Sequence, residues 1–198
     1  MTVAIIRTGV ANLASVVAAF DRLGVVAEVT TDRDLIASAS HVMLPGVGAF
    51  GAGMAALRES GVDEVLRQRI AQDKRTIAIC LGLQLLCESS EETAGVVGLG
   101  IVPVAVRRFS DAHVKVPQLG WNRVEVPAEA RFLASGYAYF ANSFRVADGV
   151  PGALVAHADY DGKFVAAFER GNLLACQFHP ELSGPWGQTL LRRWLEAS

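Results

Sequence analysis

Short runs of consecutive apolar residues alternate, along the first half of the chain, with longer stretches whose apolar positions recur at helical spacing. Val3–Arg7, Val25–Thr30, Val42–Leu44 and Thr76–Ile79 are runs of the first kind, rich in β-branched residues, as strands buried on both faces are. Asn12–Leu23, Asp32–Ser38 and a region from about Gly51 to Lys74, broken near Ser60-Gly61, carry the helical spacing. Asp32 stands where an N-cap belongs. The stretch after Thr76–Ile79 reads as a further helix running to about Ser89. Repeated strand–helix units predict an α/β fold: a mainly parallel sheet, right-handed crossovers, and helices on both faces.

The second half is strand-rich. Ile101–Arg108, Asn122–Val126, Tyr137–Ala141, Ala153–Ala158, Phe164–Glu169 and Leu173–Phe178 read as strands, and Pro185–Glu196 as a closing helix. Without a repeat, a low-complexity stretch or a linker, residues 1–198 are expected to form a single domain, and the two halves to share one sheet.

Composition narrows the class. Of 198 residues 52% are hydrophobic and 19% charged, which suits a chain with heavily buried strands and excludes a disordered one. A net charge of -2 gives no broad electrostatic footprint for nucleic acid or an anionic membrane. No apolar run approaches the roughly 18–20 residues that span a bilayer. Three cysteines without zinc-like spacing suggest neither a disulfide framework nor a metal, and fit a cytoplasmic protein with reduced thiols.

The chemistry lies in two segments, Thr76-Ile-Ala-Ile-Cys-Leu-Gly-Leu-Gln84 and Gln177-Phe-His-Pro-Glu181. Cys80 sits where an apolar run meets a glycine and then an amphipathic stretch, the setting of a nucleophile on a strand-to-helix turn. A helix N-terminus there favours the thiolate. Gly82 is expected where any side chain would strike the adjoining strand. A cysteine ending a core strand can equally be a buried structural thiol. His179 tips the balance: it ends another strand, Pro180 restricts the chain after it, and Glu181 is in reach to hold its tautomer. His41, His113 and His157 are expected to be structural or solvated, and Cys87 and Cys176 buried. In parallel sheets the carboxyl ends of strands share one edge, so Cys80, His179 and Glu181 are candidates for nucleophile, base and orienting acid. Pro45-Gly-Val-Gly48, also at a strand end, lets backbone N–H groups of Val47 or Gly48 join that of Leu81 in an oxyanion hole, with Gly46 and Gly48 allowing close approach of a substrate. A plain glycine turn fits it too; no phosphate-loop pattern occurs.

These residues match a known family. The chain resembles the class I glutamine amidotransferase glutaminases, and among them the glutaminase subunits of imidazole glycerol phosphate synthases. The resemblance is carried by Thr8-Gly-Val-Ala-Asn12, Leu44-Pro-Gly-Val-Gly48, Ile79-Cys-Leu-Gly-Leu-Gln84, Ser90-Glu-Glu92, Leu119-Gly-Trp-Asn-Arg-Val124 and Gln177-Phe-His-Pro-Glu181. It implies a flavodoxin-like sheet and hydrolysis of glutamine through a Cys-His-Glu triad without a cofactor. Ammonia would pass to a (β/α)8-barrel cyclase subunit in a heterodimer. By similarity Gln84, Gly48 and Glu92 line the glutamine pocket, with the backbone at Ser143 and Phe144 at its amino-acid end. Asn12, Trp121, Asn122 and Leu182 are candidates for the docking face. Asn142-Ser-Phe144 replaces a common His-Ser-Tyr, Leu182 stands where a basic residue often follows the triad, Gln118-Leu119 replaces a His before Gly-Trp-Asn, and Arg7 an acidic residue. The glutaminase of a different synthase (anthranilate, aminodeoxychorismate or pyridoxal-phosphate synthase), or a binding module on the same fold, is the competing reading.

Overall fold

The computed structural model describes residues 2–9, 12–147 and 149–197; Val10 and Ala11 of the Thr8–Asn12 segment lie outside them. Its main sheet has seven strands in the order β10-β11-β12-β4-β3-β1-β2. These are β1 Thr2–Ile6, β2 Val26–Thr30, β3 His41–Leu44, β4 Thr76–Ile79, β10 Leu154–Asp159, β11 Lys163–Arg170 and β12 Leu173–Cys176. From β12 through β4, β3 and β1 to β2 every pairing is parallel, while β10–β11 and β11–β12 are antiparallel.

The central strands are buried on both faces because their odd and even residues feed different cores. On one side Val3, Ile5, Ile77 and Ile79 pack with Val16 and Phe20 of α1 (Leu13–Arg22) and with Leu190, Leu191 and Trp194 of α6 (Gly184–Glu196). On the other, Ala4, Ile6, Val42, Leu44 and Ala78 pack with Ile36 of α2 (Arg33–Ser38), with Phe50, Met54 and Leu57 of α3 (Phe50–Glu59), and with Val62 and Leu66 of α4 (Val62–Ala71). Asp32 caps α2 as expected, its Oδ1 accepting from Asp34 N at 2.9 Å and Leu35 N at 3.0 Å. The break at Ser60-Gly61 is also where expected, with Gly61 at φ 66°.

Two expectations are corrected. The helix after Cys80 is only Leu81–Leu85 (α5) and does not run to Ser89: Cys87–Ser90 forms strand β5, paired in parallel with β6 (Val102–Arg108). Nor do all strands of the second half join one sheet. β5, β6 and β9 (Phe144–Val146) make a three-stranded sheet, and β7 (Gln118–Val124) pairs with β8 (Gly136–Asn142) as a two-stranded ribbon. Among the described residues the main sheet takes β10, β11 and β12 from this half, and a single bridge, Glu125 to His157, ties the end of the ribbon to β10.

At the amino-terminal edge of the sheet, Arg69 of α4 is 1% exposed and spends all its donors on one junction. It donates to Thr76 Oγ1 and to the carbonyls of Ile36, Ala39, Ser40 and Arg75, at 2.7–3.2 Å. Burial pulls its pKa down to about 10, yet it remains a cation near neutrality. Removing the guanidinium takes a donor from four carbonyls at once, of which Arg75 O keeps the Val42 N–H at 3.1 Å. Arg69→Met is therefore expected to lower unfolding free energy by about 3 kcal/mol or more, read from a denaturant titration of both proteins.

Candidate active site

Three carboxyl-terminal strand ends converge. β4 delivers Cys80; its parallel neighbour β3 leads into Pro45-Gly-Val-Gly48; its other parallel neighbour β12 leads into Gln177-Phe-His-Pro-Glu181. Register sets the meeting point: Cys176 pairs with Ile79, so the next residues, Gln177 and Cys80, stand opposite each other. Cys80 N donates to Cys176 O at 2.7 Å, which locks the step.

The chain turns sharply at the nucleophile. Cys80 has φ 53° and ψ -109°, a conformation that L residues rarely adopt and that functional turns retain. Gly82 permits it: a Cβ there would lie 2.1 Å from Leu44 O of the adjoining strand, the collision expected from sequence. The helix that follows, α5, has only five residues, so its polarity at Cys80 is weaker than that of a longer helix.

His179 Nδ1 lies 2.8 Å from Glu181 Oε1, with both side chains almost entirely buried. The ring also hydrogen-bonds the Cys80 sulfur, which leaves Nε2 for that contact. Burial opposes charge on the imidazole, but hydrogen bonds and charge from Cys80 and Glu181 outweigh it and raise the His179 pKa to about 10. The proton therefore rests on His179 at neutral pH. Its contribution to stability is complete below the ordinary 6.5 and fades as pH rises through about 10. Cys87 and Cys176 are buried, and burial pushes both thiols up, Cys87 to about 12. Neither faces the pocket.

A cavity of about 460 Å³ opens beside Cys80 and His179. Val47, Gly48, Leu81, Gln84, Glu92, Ser143 and Phe144 line it, and with His179 they bring together five separate sequence segments. Ala49, Ala141 and Asn142 join them, unforeseen from sequence. Gly46 sits behind the cavity, where a Cβ would lie 2.8 Å from that of Leu81. Its carbonyl accepts the Leu81 N–H at 3.3 Å, so the N–H expected to serve an oxyanion is engaged within the protein. Glu92 Oε2 accepts from Phe50 N at 2.6 Å. Asn142 pairs across the ribbon with Gln118, so two of the departures from the family pattern are cross-strand partners.

The docking candidates divide. Trp121 (58% exposed) and Leu182 (40%) are exposed, together with Leu119 and Tyr137 on the ribbon. Trp121 lies close to Gly184, next to the Leu182 turn. Asn12, at the surface, caps α1, its Oδ1 accepting from Ser15 N at 3.4 Å. Asn122 points to the other face of the ribbon and is tied to β10 through Asp159 O at 2.9 Å. It braces the ribbon and does not share the Trp121 face. His41 is structural as expected, between Ser40 Oγ and Leu195 O, and His113 is exposed.

Comparison with known proteins agrees with this geometry. A family model described as "Glutamine amidotransferase class-I" matches residues 8–197. The imidazole glycerol phosphate synthase subunit HisH of Acinetobacter baylyi is 39% identical, covering 98% of this chain and 97% of its own. That of Methanothermobacter thermautotrophicus is 40% identical over 98% of both. Among solved structures, a glutamine amidotransferase superposes with a TM-score of 0.78 at 21% identity over 98% of this chain and 97% of its own. The PurLQS structure from Thermotoga maritima does so with 0.76 at 18%, over 98% and 97%.

The raised His179 pKa has a direct check. Glu181→Gln removes one of the two groups that hold the proton, and the imidazole should titrate lower by about one pH unit or more, followed by NMR of the His179 ring. An unchanged titration would leave the Cys80 sulfur as its sole support.

Proposed function

This chain belongs to the class I glutamine amidotransferase family, and from that premise we propose that it is the glutaminase subunit of an imidazole glycerol phosphate synthase, with Cys80, His179 and Glu181 as its triad. Relatives named as that subunit along nearly the whole chain support the assignment. The observation that carries the chemistry is the buried Glu181–His179–Cys80 chain at the lip of the cavity.

The steps are set by where the proton rests. The Cys80 thiolate adds to the side-chain amide carbon of glutamine, and the carbonyl oxygen becomes an oxyanion. As the C–N bond breaks, the nitrogen takes the proton held on His179 and leaves as ammonia, with a thioester on Cys80. Neutral His179 then takes one proton from water as its oxygen attacks; the C–S bond breaks, the new carboxyl group gives its remaining proton to solvent, glutamate leaves, and thiolate and imidazolium are restored. Glu181 fixes the ring and favours its charged form throughout. The Val47 or Gly48 N–H and that of Leu81 face the oxyanion once the Gly46 carbonyl turns away from Leu81. Gln84, Glu92 and the backbone at Ser143 and Phe144 seat the amino-acid end.

Ammonia released into water near neutral pH would be protonated and lose its nucleophilicity, so it has to pass directly to a second subunit. A (β/α)8-barrel cyclase is the proposed recipient. Trp121, Leu119, Tyr137 and Leu182 form the exposed apolar face that suits such docking, and Asn12 lies at its α1 side. Leu182 makes the contact there apolar.

Three outcomes are expected. Glutamate release from glutamine should rise strongly when a cyclase subunit and its ribonucleotide ligand are added; high release unchanged by that partner would assign the chain to a different synthase. Cys80→Ala should lower glutamine-dependent synthesis by at least about 10³-fold while ammonia-dependent synthesis by the complex persists, and loss of both would overturn the division of labour. Trp121→Ala should weaken subunit association about 10- to 100-fold in a calorimetric titration, with glutamine-site chemistry intact.

A further inference from the structure

Gln177 is fully buried and belongs to no part of the triad. Its backbone N–H donates to Ala166 O at 2.8 Å, and its place opposite Cys80 is set by the β4–β12 register. The side chain turns toward the sulfur: Nε2 donates to Cys80 Sγ at 3.6 Å. Its Oε1 accepts from Gln84 Nε2 at 3.0 Å, and Gln84 uses its other N–H on Phe144 O at 3.2 Å. The direction of this chain of amides is forced. Phe144 O can only accept, so the Gln84 nitrogen faces it. That same nitrogen meets Gln177 Oε1, so the Gln177 nitrogen is the end that meets sulfur.

We infer that Gln177 is a second partner of the nucleophile: a buried, uncharged donor that stabilises the Cys80 sulfur as an anion, aims it at the cavity, and ties it to Gln84 in the substrate seat. This rests on Cys80 acting as the nucleophile proposed above. A donor bound to sulfur favours the charged form over the thiol. Being uncharged, the amide does this at every pH and adds no competing titration. The same donor serves at the end of the cycle: when the C–S bond breaks and the sulfur leaves as an anion, the Gln177 N–H is already in place. A buried amide kept at both ends by bonds within the site is costly to place there without such a use.

The groups facing Cys80 are His179, with Glu181 behind it, and Glu92 across the cavity; Cys176 meets it through the backbone. Burial keeps Cys87 and Cys176 as thiols through the working range, so neither competes in a readout at Cys80.

The test is the pH dependence of iodoacetamide alkylation and of thiolate ultraviolet absorbance in the full chain. Gln177→Met keeps an unbranched shape and removes both the donor and the acceptor. Gln177→Glu keeps the shape and the acceptor and replaces the N–H₂ with oxygen, so it decides the matter where the methionine variant does not fold. In either variant the Cys80 midpoint should move up by about one pH unit or more, and kcat for glutamine should fall at least about tenfold with KM changed much less. A parent that ionises normally, with folded variants whose midpoint is unmoved, overturns the inference alone. A parent whose Cys80 forms no thiolate below strongly alkaline pH overturns the proposed function and the inference together.

Discussion

The site depends on one pairing, that of β12 alongside β4. Parallel neighbours end at the same edge of a sheet, so the residues after Ile79 and those after Cys176 are brought together whatever their distance in sequence. The pairing is pinned from both faces: Ile77, Ile79, Leu174 and Cys176 enter one core, and Ala78, Leu173 and Ala175 the other. A slip of one residue would exchange those sets and turn Gln177 away from the sulfur. β12 reaches its place through the antiparallel run β10–β11–β12, without a crossover helix. Cys80 and His179 are therefore held by packing around two short, completely buried strands.

Stability and chemistry occupy opposite edges of that sheet. At the amino-terminal edge the polar groups are closed upon the protein. Arg69 satisfies the α2–β3 junction, Glu169 accepts the N–H groups of Arg131, Phe132 and Leu133, and Asn172 is bonded three ways to Asp73. At the carboxyl-terminal edge they converge on a cavity. There the backbone is strained at Cys80, and the amides of Gln84 and Gln177 lead to sulfur. Strain of this kind persists where surrounding structure over-determines it, and Gly82 against Leu44 O shows how little freedom the turn has.

Much of this was legible in the chain. Runs buried on both faces announced β1, β3 and β4, and the positions of Cys80, Gly82 and His179 at strand ends implied a shared edge from the residues alone. The remainder depended on partners distant in sequence. Cys87-Glu-Ser-Ser90 has no strand pattern, with only its ends buried; it is extended because β6 pairs with it. The same pairing cut the preceding helix to five residues. Asn122 looked like a surface group beside Trp121, but strand alternation sends it to β10. Gln177 was visible in its motif yet had no assignable role, since only the Cys176–Ile79 register shows that it faces Cys80.

The groups the proposed hydrolysis needs differ in readiness. The side chains are already set: the proton is on His179, Glu181 holds the ring, and Gln177 reaches the sulfur. The backbone is not, because Leu81 N–H is held by Gly46 O at 3.3 Å. A donor committed to a neutral carbonyl is lost to the oxyanion, and removing one such donor from an acyl-transfer site lowers rate by roughly 10²–10³. For the Leu81 N–H to serve the proposed oxyanion, the peptide at Gly46 has to turn away from it. Val47, the next residue, is 39% exposed at the cavity lip, where a covering surface can reach it. A body docked on the apolar face could therefore act on the reaction through this loop while leaving the buried triad untouched.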